Sequence, residues 1–237
     1  MKTDYKDYLL STLGIGLTLA ITALALALLQ DALLEALGPL YAPVAVLVLF
    51  LALYGGVSAL LLALLDRALP LRPGSYRLNH AQFRLWKLRH VLTALAKAAL
   101  TPFFPVFMRQ ALYALLGVRV GKQVAVAGTL LDPTLTVLED GSVVGEGAIV
   151  ACHAMARGRF LLRGVRVGRG ATVGGGAIVM HGVRIGAGAV ILPGALVTAD
   201  TEIPAGEVWG GMPAVCMKPA RRAGQSEEQT PWREINR

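Results

Sequence analysis

Four histidines, His80, His90, His153 and His181, are the side chains of this chain best suited to moving a proton near neutral pH. His153 follows Ile149-Val150-Ala151-Cys152 and precedes Ala154-Met155-Ala156-Arg157-Gly158, a setting of small and aliphatic residues. There it can act as a general base or as a corner residue bonded to a neighbouring carbonyl. His181 stands directly before Gly182 and reads as a turn residue that could still line a cleft. His80 and His90 lie among Arg77, Arg84, Lys87 and Arg89 and read as surface or lipid-headgroup residues. A carboxylate would hold a catalytic imidazole and raise its basicity. Glu139, Asp140 and Glu146 precede His153 at about the right distance, and spacing alone does not choose among them.

Other chemistries find less support. Cys152 and Cys216 form neither a disulfide framework nor a metal-ligand cluster, and read as small apolar residues. No phosphate-cradling GxxxxGK[ST] loop, no CxxC pair and no serine-centred elbow is present. No metal site is expected.

The elements that must position these residues fall into two halves. The chain has 237 residues, a formal net charge of +8 and 55% hydrophobic residues, more than an ordinary domain of this size carries. The excess lies at the front. Leu9 to Leu29 and Leu40 to Leu65 hold no charged residue, and each is long enough to cross a hydrocarbon core of about 30 Å. Backbone groups in lipid must be satisfied internally, so both spans are expected to be helices, joined by a tight turn at Gln30 to Pro39. A signal peptide fits poorly, because the cleavage site is missing and a second span follows at once.

The turn carries Asp31 and Glu35, whereas the stretch after Leu65 carries Arg67, Arg72, Arg77, Arg84, Lys87, Arg89, Lys97 and Arg109. That asymmetry predicts both termini and the rest of the chain on the cytoplasmic side of a cell inner membrane, as a multi-pass protein. Residues 79–116 show leucines at helical spacing, with Phe83 and Trp86 suited to a headgroup boundary. Pro102 and Pro105 break the pattern beside Phe103, Phe104, Phe107 and Met108, which could dip into the acyl layer. The basic run sets topology and meets anionic lipid; nucleic acid is not expected. The divisions are a transmembrane helical hairpin at 1–66, basic interfacial helices at 67–117, a repeat domain at 118–216 and a polar tail at 217–237.

In the second half, Val167, Val173, Val179, Ile185, Ile191, Val197, Ile203 and Trp209 stand at six-residue intervals. The same phase extends back through Leu161, Met155, Ile149, Val143 and Val137, while Val120 and Val126 stand one residue out, which places a small insertion near Leu130 to Thr134. A period of six signals a parallel β-helix of hexapeptides, about five coils in all, with one aliphatic per hexapeptide facing the axis. Gly168, Gly174, Gly186 and Gly188 fall at corners, where a Cβ would clash.

The stretch Gly182-Val183-Arg184-Ile185-Gly186-Ala187-Gly188-Ala189, followed by Gly210-Gly211-Met212-Pro213-Ala214, resembles the hexapeptide-repeat acyltransferases. A fainter resemblance, to terminal domains of some peptide synthetases, begins near Gly74-Ser75-Tyr76 and continues at Leu115 to Gly121. The first resemblance implies a left-handed β-helix, a homotrimer and acyl-CoA (acetyl-CoA as co-substrate) lying between neighbouring β-helices. It implies His153 as the base; His181, in a slot where the family often has proline, is a second candidate that could line the cleft, and Glu139 is a carboxylate candidate by position. For the donor it implies Gly175, Ala177, Ala187, Ala189, Ala195 and Ala199 along the pantetheine arm, and Gly211, Met212 and Pro213 in a closing turn. Lys218, Arg221 and Arg222 could meet CoA phosphates or equally form a solvated tail, and Arg157, Arg159 and Arg163 could face an anionic acceptor. Thr172 and Pro193 depart from the family pattern, where tryptophan and alanine are common. The expected activity is O-acetyl transfer to a glycan, lipid-linked or other amphiphilic acceptor. Two further readings follow from the same fold: a non-catalytic assembly module, and a γ-class carbonic anhydrase, which needs three histidines per metal.

Overall fold

The computed structural model describes residues 5–220; Arg221, Arg222 and the remainder of the expected tail lie outside the described residues. Helix α1 (Tyr5–Ala68) is broken at Gly38, whose φ of 69° and ψ of 171° interrupt the helix just before Pro39. Glycine tolerates the left-handed φ, and proline begins the second arm with no N–H to leave unpaired. Gln30 to Leu37, expected in the turn, continue the first arm. By length and hydropathy α1 suffices to cross a membrane. Leu10 and Leu65 line one cavity, although a straight helix would hold them about 80 Å apart. The chain therefore folds back at Gly38.

Strand β1 (Gly74–Arg77) and helix α2 (Ala81–Leu100) follow. Both arms of α1 rest on α2: Gly14 faces Leu88 and Leu92, and Gly55 faces Leu100 and Ala99. His80 caps α2, its Nδ1 accepting the Gln82 N–H at 3.1 Å, which supplies one of the helix's orphan donors with a partner. Arg89 is buried. It pairs with Asp66 and donates to the Leu65 and Leu69 carbonyls at 2.8 Å each, so one cation of the basic run closes the C-terminus of α1. Pro102 stands in one 3₁₀ turn (Thr101–Phe103) and Pro105 immediately precedes a second (Val106–Met108), before helix α3 (Arg109–Leu115). Phe103, Phe107 and Met108 are exposed, while Phe104 packs on the core. Phe83 and Trp86, expected at a headgroup boundary, are instead buried against Phe160 and Leu162.

From Arg119 the chain winds into a β-helix with three faces. Strands at Arg119–Val120, Thr136–Leu138, Val165–Val167, Arg184–Ile185 and Glu202–Ile203 stack in parallel on one face. Ala125–Val126, Val143–Val144, Thr172–Val173, Val190–Ile191 and Val208–Gly210 stack on the second, where Val215–Lys218 adds an antiparallel edge. The third carries Thr129–Leu130, Ile149–Val150, Ile178–Val179 and Leu196–Val197. Corners touch backbone to backbone. A Cβ on Gly174 would stand 2.5 Å from Pro193 N, and Gly188 turns with φ +64°.

One excursion interrupts the coil. Strands β2 (His153–Ala156) and β3 (Arg159–Leu162) form an antiparallel hairpin, and β1 pairs with β3. This corrects the inward-facing series below Val167. Seventeen residues separate Val150 from Val167, against the eighteen that whole hexapeptides would take. The buried residues are therefore Leu138, Val144 and Val150, in phase with Val120 and Val126, whereas Val143 and Ile149 face outward and Met155 is 47% exposed on the hairpin. No net insertion lies at Leu130 to Thr134: the 3₁₀ turn Pro133–Leu135 is offset by a short step from Val126 to Leu130. The pairs Val143-Val144 and Ile149-Val150 satisfy a period of six in either phase, and a slip of one residue exchanges the faces of every strand.

Candidate active site

Asp132 occupies the corner after Thr129–Leu130, directly beneath the point where the chain leaves the coil for the hairpin. It is buried, and its carboxylate takes partners from α2 and from the start of the hairpin. Trp86 Nε1–H of α2 reaches Oδ1 at 2.7 Å, the Cys152 N–H reaches Oδ2 at 2.8 Å, and His153 Nδ1 lies 2.7 Å from Oδ2. Burial alone would raise the Asp132 pKa. The hydrogen bond and charge of His153, then the Trp86 and Cys152 donors, outweigh it and hold the carboxyl below its ordinary range. An ionised Asp132 has no proton to give, so the proton between the two residues sits on His153 Nδ1. In the neutral ring that placement leaves Nε2 with a free lone pair, the form a general base requires.

The histidine is held by aromatic packing. Its ring centroid lies 4.5 Å from Trp86 and 6.4 Å from Phe160. Phe160 in turn touches Phe83 at 4.8 Å and Trp86 at 5.0 Å, which fixes the hairpin against α2. Trp86 and His90, four residues apart, share one face of α2. His90 stacks on Trp86 at 5.2 Å and meets His153 edge-on at 6.4 Å. Desolvation by its neighbours, partly opposed by the Asp132 charge, lowers the His90 pKa. A carboxylate and two imidazoles thus converge where the β-helix meets the α1–α2 pair.

Sequence reasoning placed His153 here but missed Asp132, Trp86 and His90. The signal for Asp132 was its place beside Pro133, at the one irregular corner of the first coil. His90 is exposed, as its sequence setting suggests, and its spacing from Trp86 puts both on one side of the helix. Glu139, proposed as the partner carboxylate, is engaged elsewhere: it accepts the Arg169 N–H at 3.1 Å and pairs with Arg166 at 3.4 Å. Asp140 accepts the Lys122 N–H at 2.8 Å, and Glu146 pairs with Arg109 at 3.6 Å. His181 is buried, its Nδ1 lacks a hydrogen-bond partner and burial lowers its pKa. It lies on the next coil: Gly182 N bonds to Arg163 O at 3.3 Å.

The residues expected along the donor divide in two. Ala177, Ala189 and Ala195 are buried in the β-helix core and cannot face a groove. Each precedes an inward aliphatic by two residues and so points the same way. Gly175, Ala187, Ala199, Gly211, Met212, Pro213 and Lys218 remain at the surface. Ala187 lines a shallow cavity of about 450 Å³ with Glu139, Arg166 and Arg184. Arg163 pairs with Asp200, and Arg159 holds β1 through Ser75 Oγ at 2.7 Å. Cys152 is no nucleophile. Burial, then the Asp132 charge, pushes its thiol up to about 12. Among the described residues no three His, Cys, Asp or Glu side chains gather as a metal-ligand set.

Residues 164–199 match the family model described as bacterial transferase hexapeptide, six repeats. The matched stretch lies within the β-helix. A hexapeptide-repeat-containing acetyltransferase from Vibrio cholerae superposes with a TM-score of 0.50 at 14% identity, over 58% of this chain and 93% of its own. A maltose O-acetyltransferase from Clostridium difficile 630 aligns with a TM-score of 0.43 at 19% identity, over 64% of this chain and 95% of its own. Among curated proteins none matches the sequence. The Vibrio likeness establishes a shared fold, the hexapeptide β-helix. In this chain the hexapeptide repeat is interrupted by the hairpin that carries His153, and α2 packs against that hairpin.

Proposed function

We propose that the chain is a membrane-anchored, acetyl-CoA-dependent acyltransferase with His153 as general base. The observation that carries this reading is the Asp132–His153 pair, with an ionised carboxylate behind Nδ1 and Nε2 left free. In the reaction Nε2 takes a proton from an acceptor hydroxyl or amine as that atom attacks the thioester carbonyl. The C–S bond then breaks, the acyl group passes to the acceptor, and the imidazolium returns its proton to the CoA sulfur. Asp132 stabilises the imidazolium, a role a neutral side chain would not fill. Backbone N–H groups of the corners are the available donors for the oxyanion.

The likeness to a named acetyltransferase supports an acyl-CoA donor. The exposed Ala187 and the half-buried Gly175 and Ala199, with the turn Gly211–Pro213 and Lys218, would receive it between left-handed β-helices of a homotrimer. The acceptor side is built by α2, through Trp86 and His90. Since α2 packs on α1, an amphiphilic or lipid-linked acceptor entering from the bilayer suits this placement. The two apolar arms of α1 would cross the inner membrane as a hairpin, with the termini and the β-helix in the cytoplasm.

The test is acetyl-CoA consumption by the purified protein, read as free thiol, with membrane lipid extracts and glycans as acceptors. His153→Ala should lower acceptor-dependent turnover by about 10²-fold or more while calorimetry still detects acetyl-CoA. Wild-type turnover in a folded His153→Ala protein would refute the reading. Absence of acetyl-CoA binding by the wild type would favour the assembly-module reading instead.

A further inference from the structure

A second cavity lies on the other side of α2. It encloses about 730 Å³ between the two ends of α1, the segment after it and the first half of α2. This is ample for the head and upper chains of a lipid. One wall is apolar: Leu10 and Leu65 from the two arms of α1, and Leu85 and Leu88 from α2. That wall continues into the exposed leucines of α1, among them Leu13 and Leu64. The rim is basic. Arg72 and Arg84 line the cavity, and neither has a carboxylate partner among the described residues; Arg84 Nη1 donates only to the Asn79 carbonyl, at 3.3 Å. His80 also lines it, with Nδ1 engaged in capping, so the proton of its neutral ring is on Nε2 and available to donate.

At about 100° per residue, Arg84 and Leu88 lie on the opposite side of α2 from Trp86 and His90. This cavity is therefore separate from the candidate active site. Leucines continuous with a membrane-facing surface, beneath guanidiniums that have no carboxylate partner among the described residues, match a molecule with acyl chains and a phosphate. A soluble anion would leave the apolar wall uncovered, and a zwitterionic lipid would bring a third cation beside the two arginines.

We propose that this cavity binds an anionic phospholipid, its phosphate held between Arg72 and Arg84 and its chains against Leu10, Leu65, Leu85 and Leu88. The proposal rests on the membrane reading of α1 and is independent of the transferase reading.

The experiment uses the full chain purified in neutral detergent, titrated with dioleoyl-phosphatidylglycerol or dioleoyl-phosphatidylcholine and followed by native mass spectrometry. Saturable retention of phosphatidylglycerol is expected, with clearly weaker retention of phosphatidylcholine. The Arg72→Gln/Arg84→Gln double variant should weaken phosphatidylglycerol binding about thirtyfold. Arg77→Gln, on β1 and outside the cavity, should leave it unchanged. Ala68→Trp, which fills the cavity and spares the charges, should weaken it too, provided far-ultraviolet circular dichroism shows wild-type helix content. Undiminished binding by the folded double variant would overturn the proposal. So would equal retention of both lipids, or displacement of the lipid by millimolar inorganic phosphate. Recovery of the protein in the soluble fraction would overturn the membrane reading and this proposal together. Loss of acetyl transfer with lipid binding intact would touch the transferase reading alone.

Discussion

His153 Nδ1 lies 2.7 Å from Asp132 Oδ2, although twenty-one residues of chain separate the two. One full coil of the β-helix and the root of the hairpin bring them together. The same carboxylate binds the Cys152 N–H and the Trp86 indole, so it anchors the histidine, the hairpin and α2 at once.

Asp132→Asn keeps the size of the side chain and removes its charge. Turnover should fall by about 10²-fold or more, since Nδ1 loses the acceptor that sets its tautomer and steadies the imidazolium. Acetyl-CoA affinity, measured by calorimetry, should change little. Trp86→Phe tests the same carboxylate from the other side. It removes a donor to an ionised, buried group and should cost about 1.5–3 kcal/mol of stability.

Stability should fall on acidification, with a contribution from His90. Its folded pKa is depressed, so the unfolded chain binds the proton more readily. The contribution is fully present above the unfolded value of about 6.5 and is lost as the pH drops through the folded value. His181 is shifted in the same direction and adds to the slope. Thermal unfolding followed between pH 7.5 and 5 should therefore be less pH-dependent in His90→Gln than in the wild type. An unchanged slope would remove His90 from the account.

Adjacent glycines of α1 provide an internal control for its packing on α2. A Cβ on Gly55 would stand 2.7 Å from Leu100 Cδ2 and 3.2 Å from Ala99 Cβ, whereas one on Gly56 would meet nothing within 4 Å. Gly55→Ala should destabilise by about 1–3 kcal/mol through forced separation of the helices. Gly56→Ala should be neutral or slightly stabilising, as expected of alanine in a helix. Thermal unfolding in detergent distinguishes them.

The native protein should present a single reactive thiol. Cys152 is buried with its pKa pushed up to about 12, while Cys216 is exposed. Maleimide labelling at pH 7 followed by mass spectrometry should find Cys216 modified and Cys152 untouched until the chain is unfolded.

Some of this was open to reading in one dimension because it depends on repetition or on local composition. A six-residue period from Val167 to Trp209 can only be a stack of short parallel strands, since each inward side chain must repeat for its coil to close. Two long uncharged stretches must be helical wherever water is excluded. Histidine at the head of an irregular segment stood out for the same reason, because the corners around it carry small residues.

What depended on distance across the fold was hidden. Glu139 looked as good a partner as any, yet it faces Arg166 on another face of the coil, while Asp132 is brought under His153 by stacking. Paired aliphatics concealed the one-residue slip at the hairpin, because either member of Val143-Val144 suits an inward position until hydrogen-bond register selects one. Ala177, Ala189 and Ala195 looked like groove residues and proved to be core, since a strand exposes or buries a side chain by parity rather than by size. Trp86 and His90 join the site through helix packing, a long-range choice that no window of sequence encodes. The amino-acid order determined the coil and the apolar helices and marked His153 as the candidate base. Only the stacking of coils and the docking of α2 decided which carboxylate serves that base and which residues face it.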